Sequence, residues 1–301
     1  MLVSLRRSFN ARRFAAAAGL TMVATAPAAA QGSAALPPAK ELIAKFVAAT
    51  NATAIMAKHQ SVRTKGRFEL PAAGVSGDLE ISQARPNKTM MRINVSSIGQ
   101  IEQGFDGTTA WSINPMQGPR LMTGRELDAV REESSFGTPS RQGPNVASAE
   151  TTEKTEMNGE PCYKVKMVWK SGRETFDCYS VASGLLIAST GKQESPMGTI
   201  EVTNLISDYK DFGGQKIATR LTQQVMGNEQ VLIINTVDYD AADPAAFDMP
   251  AAIKASSRRN RNASSWNCSS FDTRSPKTAR FSPPPAVRTL CVRSRPRARA
   301  R

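Results

Sequence analysis

Apolar and polar residues alternate with a period of two through most of the chain between residues 79 and 239, and this constrains the fold more than any other feature. Leu79 and Ile81, then Met91, Ile93 and Val95, then Ile101 and Phe105, then Trp111 and Ile113 each stand between polar neighbours, as half-buried antiparallel strands require. The pattern resumes at Tyr163–Trp169, Glu174–Val181, Leu185–Ser189, Thr199–Asp211, Gln215–Val225 and Glu229–Tyr239. Short Gly, Pro or Asn turns separate the runs at intervals of roughly ten residues, which favours a meander over crossover connections. The spacing predicts a mainly antiparallel β fold with covering helices, of the α+β class: an incomplete β-barrel of about ten strands enclosing a hydrophobic cavity.

Two segments have a helical period instead. Leu42, Ile43, Phe46 and Val47 form an apolar stripe in a helix that begins after Pro38 and runs towards Lys58. A second, short helix is expected from Thr123, where Thr123-Gly124-Arg125-Glu126 has the form of a capping box and Leu127 and Val130 share a face.

Domain limits follow from charge and composition. Arg6, Arg7, Arg12 and Arg13 precede an apolar run from Phe14 to Val23 and a small-residue site at Ala28-Ala29-Ala30. Residues 1–30 therefore read as an export signal cleaved near Ala30, with Arg6-Arg7-Ser8-Phe9 also fitting a twin-arginine core. The apolar run is shorter than the roughly 20 residues needed to cross a bilayer, so a soluble protein of the periplasm is expected. Of 39 Lys and Arg and 26 Asp and Glu, four Arg lie in that signal, and twelve bases with one acid lie from 255 to 301. The remaining 23 bases and 25 acids leave the body near neutral, so the net charge of +13 is no argument for a nucleic-acid partner of the body. Residues 33–254 are enough for one domain with a sizeable core. Residues 255–301, rich in Arg, Pro and Ser, read as a disordered basic tail. They are either an arm for anionic headgroups or nucleic acid, or the product of a shifted reading frame.

Chemistry-bearing constellations are sparse. His59 is the sole histidine and reads as a capping or surface residue, and Asp238 and Asp240 read as solvated. No catalytic residue, metal ligand or cofactor is assigned, and the chain is not expected to be an enzyme. Cys162 and Cys178 lie on opposite arms of a hairpin turning at Ser171-Gly172. A two-residue turn there would put Cys162 opposite Val181 and Cys178 opposite Val165, on opposite faces, so free thiols are expected. Cys268 and Cys291 fall in the tail. Flexible and aromatic apolar side chains on the strands suit a cavity that accepts acyl chains of varied shape. The candidate lining is Leu79, Ile81, Met91, Ile93, Ile101, Phe105, Trp111, Ile113, Val165 and Met167.

Several motifs, in order, resemble the LolA-like family of outer-membrane lipoprotein-sorting proteins, the periplasmic lipoprotein carriers. They are Gly104-Phe105-Asp106-Gly107 with Trp111, Ser112 and Asn114-Pro115, then Gly118-Pro119 and Gly124-Arg125-Glu126-Leu127. Pro161 to Val165, Ser171 to Glu174, Ser183 to Leu186, Asp208-Tyr209 with Gly213-Gly214, and Phe247 to Pro250 with Ile253-Lys254 follow. The resemblance spans nearly all of 40–254, with departures at Ser180, Ser183 and Ala218. It implies a carrier that shields lipoprotein acyl chains, or other lipids, in a hydrophobic cavity for transfer to the outer membrane. An inner-membrane donor complex and an outer-membrane acceptor would be its partners, nucleic acid would not, and it would act as a monomer. An envelope-stress sensor or regulatory binding module of the same fold is the alternative.

Overall fold

The computed structural model describes residues 35–137, 140–195, 198–256, 266–270 and 289–293. The export-signal reading of 1–30 and most of the tail lie outside them. Two helices open the described chain, α1 (Ala39–Thr50) and α2 (Ala52–Met56). Six strands follow: β1 (Ser61–Leu70), β2 (Val75–Ala84), β3 (Lys88–Val95), β4 (Gly99–Phe105), β5 (Ala110–Asn114) and β6 (Gly118–Leu121). Helix α3 (Gly124–Glu133) then leads to β7 (Val146–Met157), β8 (Glu160–Trp169), β9 (Glu174–Ser180), β10 (Leu186–Ser195), β11 (Gly198–Phe212), β12 (Gln215–Val225) and β13 (Asn228–Tyr239).

All thirteen strands form one antiparallel sheet, ordered β6-β5-β4-β3-β2-β1-β13-β12-β11-β10-β9-β8-β7. Two meanders are thus joined where β1 pairs with β13, and β6 and β7 remain as unjoined edges. The sheet is open, as the alternation implies, and has three strands more than the expected ten. The extra strands carry weak patterns. In β7 the sequence VASAETTEKTEM offers no run of large apolar residues, and in β1 the buried positions are Val62 and Phe68 alone. In the tail, Trp266–Ser270 (β14) pairs with Thr289–Arg293 (β15) as a separate two-stranded sheet.

The cysteine expectation is corrected. Cys162 and Cys178 form a disulfide, with Cα atoms 5.6 Å apart. The hairpin loop has three residues, Lys170 to Gly172, and not two; the Trp169 N–H donates to the Arg173 carbonyl (2.9 Å) and the Gly172 N–H to the Trp169 carbonyl (2.9 Å). That one-residue difference moves Cys162 opposite Ser180 and Cys178 opposite Lys164, which places both sulfurs on one face of neighbouring strands. The bridge packs with Ala188, Met157, Ile187 and Leu205.

Helix α3 forms where Thr123 announces it, but the capping box does not close: Thr123 makes no side-chain cap bond. Glu126 instead receives the guanidinium of Arg120 at 2.6 and 2.7 Å. At the other end of α3, buried Glu132 accepts the Ser171 N–H (2.8 Å) and Arg173 Nε (3.3 Å), and the Arg173 guanidinium lies 4.6 Å from the centre of the Trp169 ring. The segment from 122 to 145, which connects the two edge strands, is therefore fastened to the β8–β9 turn. After β13, Pro244–Phe247 lies against β3, with Phe247 and Ile253 buried.

Two outcomes test this packing. Replacing both Cys162 and Cys178 by Ser should lower the unfolding free energy by about 2–3 kcal/mol in urea titrations, because the bridge closes a loop of sequence separation 16. Gly104 faces the Trp111 ring so closely that an added methyl would overlap it. Gly104→Ala should cost about 1–3 kcal/mol in the same assay.

Candidate functional site: the inner face of the open sheet

Following the registers strand by strand identifies the face that receives the helices. Val165, Met167, Tyr179 and Leu186 lie on it and pack under Ala39, Leu42 and Ile43 of α1. At the opposite side of the sheet Phe105 and Ala110 share this face and pack with Met122 and, on α3, Leu127 and Val130. Between them lies a third cluster of a different kind. Phe68, Leu79, Ile93 and Val95 are buried, with Leu70, Val75, Ile81, Met91, Ile101 and Leu232 packed around them half-buried. Every member belongs to a strand, and among the described residues no helix side chain joins this cluster.

A cleft of about 330 Å³ opens between the helices and the sheet. Phe46, Thr50, Ala52 and Met56 form one wall and Gln215 to Ala218 with Tyr209 the other. Ser135, Gly137 and Arg141, from the segment after α3, border it as well. That segment is pinned twice. Phe136 lies under the Arg85 guanidinium at 5.2 Å, and Arg85 in turn donates to the carbonyls of Met56 (2.8 Å) and His59 (2.9 Å) beyond α2. Arg141 forms a two-pronged ion pair with fully buried Asp177: Nη2 reaches Oδ1 at 3.2 Å and Nε bonds Oδ2.

Burial opposes the charge on Arg141, but the adjacent carboxylate of Asp177 outweighs it and the guanidinium is held more firmly protonated than usual. The Tyr179 hydroxyl donates to Asp177 Oδ2 (3.4 Å), and that of Tyr209 donates to the Leu186 carbonyl (2.8 Å). Burial pushes both phenols up, so they stay neutral donors at any ordinary pH. Arg141 and Tyr209 at this end of the cleft are thus both bonded, and the rest of the lining mixes apolar Phe46, Ala52, Met56, Ile217 and Ala218 with polar Thr50, Ser135, Gln215 and Lys216.

No group of three or more His, Cys, Asp or Glu side chains converges as a metal site among the described residues. His59 stacks on Tyr239 (ring centres 4.4 Å apart) and its Nδ1 lies 2.7 Å from Asp240 Oδ2, which ties the α2 end to the end of β13. That contact, with the Gln60 N–H, holds the Asp240 carboxyl below its ordinary value.

The ten candidates read from the sequence fall in four places. Leu79, Ile81, Met91, Ile93 and Ile101 come together in the strand-only cluster. Phe105 joins the cluster under α3, and Val165 and Met167 are sealed under α1. Trp111 and Ile113 point to the other face of the sheet, since they pair with Gly104 and Glu102 and not with Phe105. None of the ten borders the cleft. Phe46 belongs to a stripe visible in the sequence. Arg141 and Tyr209 carry no local signal, because their role depends on partners 36 and 23 residues away.

No protein-family model and no curated protein sequence matches this chain. Among solved structures, a LolA superfamily protein from Nitrosomonas europaea is similar, with 12% identity, a TM-score of 0.48 and coverage of 71% of this chain and 99% of that one. A putative outer membrane lipoprotein-sorting protein domain from Vibrio parahaemolyticus has 10% identity and a TM-score of 0.46, covering 69% and 95%. The lipoprotein LppX from Mycobacterium tuberculosis has 12% identity and a TM-score of 0.28, covering 68% and 97%.

The Arg141–Asp177 pair gives a sharp expectation. Arg141→Met leaves a buried carboxylate without its partner and should cost about 3–5 kcal/mol at neutral pH, whereas adding Asp177→Leu should restore most of the loss. A buried carboxylate with no cation beside it takes up its proton more readily in the folded state than in the unfolded one. The penalty of the single variant is therefore full at neutral pH and should shrink as pH falls towards about 4. Urea unfolding at about pH 7 and again near the acid end of that range measures both.

Proposed function

We propose that this chain is a carrier that holds the acyl chains of lipids or lipoproteins against the inner face of its open sheet. The observation that carries the reading is the strand-only cluster, where six half-buried apolar side chains surround the buried core and no helix side chain among the described residues joins them. Burial of acyl chain contributes about 0.8 kcal/mol per methylene, so one chain laid along Ile81, Met91, Ile101 and Leu232 gains useful affinity with no catalytic group.

The proposed setting is the periplasm, with delivery of lipoproteins to the outer membrane as the task. The export signal read at 1–30 supports it, and so does the Cys162–Cys178 bridge, a linkage that persists in oxidising compartments. Among the described residues no helix is long and apolar enough to cross a membrane.

The test is displacement of a fluorescent acyl probe from the purified protein. Ile81→Asp and Leu232→Asp should each weaken probe binding by about tenfold or more, since each puts a charge where the chain would lie. Ile113→Asp, on the other face, should leave it within about twofold. Equal binding by all three folded variants would remove the inner face from the site. Native mass spectrometry of protein from a periplasmic extract would then distinguish a carrier, with copurifying acylated material, from a sensor that is empty and keeps a protein partner.

A further inference from the structure

Four turns along one end of the sheet carry no charged residue. Strand directions put the turns after β1, β3, β5 and β12 at the same end, because β1, β3, β5 and β12 all run towards it. Their sequences are LPAAGVS (70–76), VSSIGQ (95–100), INPMQGP (113–119) and VMGN (225–228), with no charged residue in any of the four. Farther along the sheet at this end, the turn after β8 carries Lys170 and Arg173. At the opposite end the turns after β2 and β4 carry Arg85 and Asp106 and Asp240 follows β13, whereas the turns between β9 and β10 (181–185) and between β11 and β12 (213–214) carry no charge.

The four turns also hold three of the four large apolar side chains that are exposed among the described residues: Met116 at 90%, Met226 at 78% and Ile98 at 37%. They sit at three different turns. The turns are neighbours in two pairs: a Cβ on Gly99 would meet Pro115 at 3.3 Å, and Pro71–Ala73 lies against β13. Three of the turns have a backbone N–H bonded within the turn: Ile98 N–H to Val95 O (3.1 Å), Met116 N–H to Asn114 Oδ1 (2.8 Å) and Gly74 N–H to Pro71 O (3.1 Å). Just below the tips, Arg67 pairs with Glu69 (3.1 Å) and also donates to the Ser76 hydroxyl of the first turn (2.6 Å), and Glu229 accepts from Gln224 (2.9 Å).

We propose that this charge-free rim, led by Ile98, Met116 and Met226, docks on a lipid bilayer. A surface that loses water on contact favours apolar tips with internally bonded backbone and penalises any charge, which matches what the four turns keep and what they exclude. An aqueous protein partner would be fixed by polar and charged rim groups, and these turns offer no charge for that purpose. The inner-face cluster reaches the same end through Leu70, Val75 and Val95, so apolar surface is continuous from the rim to the proposed binding face. In that respect the rim's part in transferring a chain rests on the carrier reading, while the docking itself does not.

Cosedimentation of the purified protein with phosphatidylcholine vesicles tests it. The unmodified protein should bind vesicles that hold no anionic lipid, and I98E/M116E/M226E should bind about tenfold less or weaker still. A Met116→Trp reporter should shift its emission to the blue on those vesicles. Equal partition of the parent and triple variants, or an unshifted reporter, would overturn the proposal. So would binding that requires phosphatidylglycerol and survives the triple change, or a dimer that the triple change dissolves in a protein that ignores vesicles. Probe binding without vesicles keeps the two readings apart. A triple variant that retains the acyl probe but loses the vesicles supports the rim, whereas vesicle binding by a parent protein that takes no probe upholds the rim and sinks the carrier.

Discussion

The whole sheet depends on the ladder between β1 and β13. Each meander alone would be a twisted sheet with one apolar face in water, and the β1–β13 ladder converts the two into a single curved surface that can share one interior. Gly66 sits at the bulge in this ladder, where the register shifts between Lys65 and Gly66 and the Ile233 carbonyl comes too close for any side chain to fit. The close approach lets Phe68 face Leu232 across the ladder, and that pair is the centre from which the strand-only apolar cluster spreads.

Covering the interior is divided unequally. Helix α1 fills one side, and its N-terminal approach is fixed by the Thr151 hydroxyl donating to the Pro37 carbonyl at 2.7 Å. On the other side the strap from α3 to Arg141 crosses the opening and is held by polar contacts: Glu132 to Arg173, Arg85 over Phe136, and Arg141 to Asp177. Apolar contact adds to these anchors only where Leu127 and Val130 of α3 pack on Phe105, Ala110 and Met122, apart from the strand-only cluster.

The alternation of residues made the antiparallel sheet, its meander order and most of its inner face legible before any coordinates. Leu79 to Ile101 fall where period two places them, and the first helix lies where Leu42, Ile43 and Phe46 put it. What was not legible depended on counting residues in turns. One extra residue at Lys170 to Gly172 reversed the facing of Cys178 against Cys162, and parity carried from Phe105 to Trp111 failed because the β4–β5 turn sets Phe105 opposite Ala110. Faces are lost by a single residue of error, whereas strand existence survives it. The cleft was hidden for another reason: Arg141, Tyr209 and Ile217 meet only through tertiary packing.

An open sheet leaves two bare strands, and bare strands recruit others. Here neither is a good template. β6 is four residues long with Pro119 within it, and β7 presents Glu150, Glu153, Lys154 and Glu156 along a strand interrupted by two register irregularities. Short length, proline, bulges and like charges each discourage edge-to-edge pairing. The barrel can therefore stay unclosed without inviting a second copy to close it, and the gap between β6 and β7 is kept for the connecting strap.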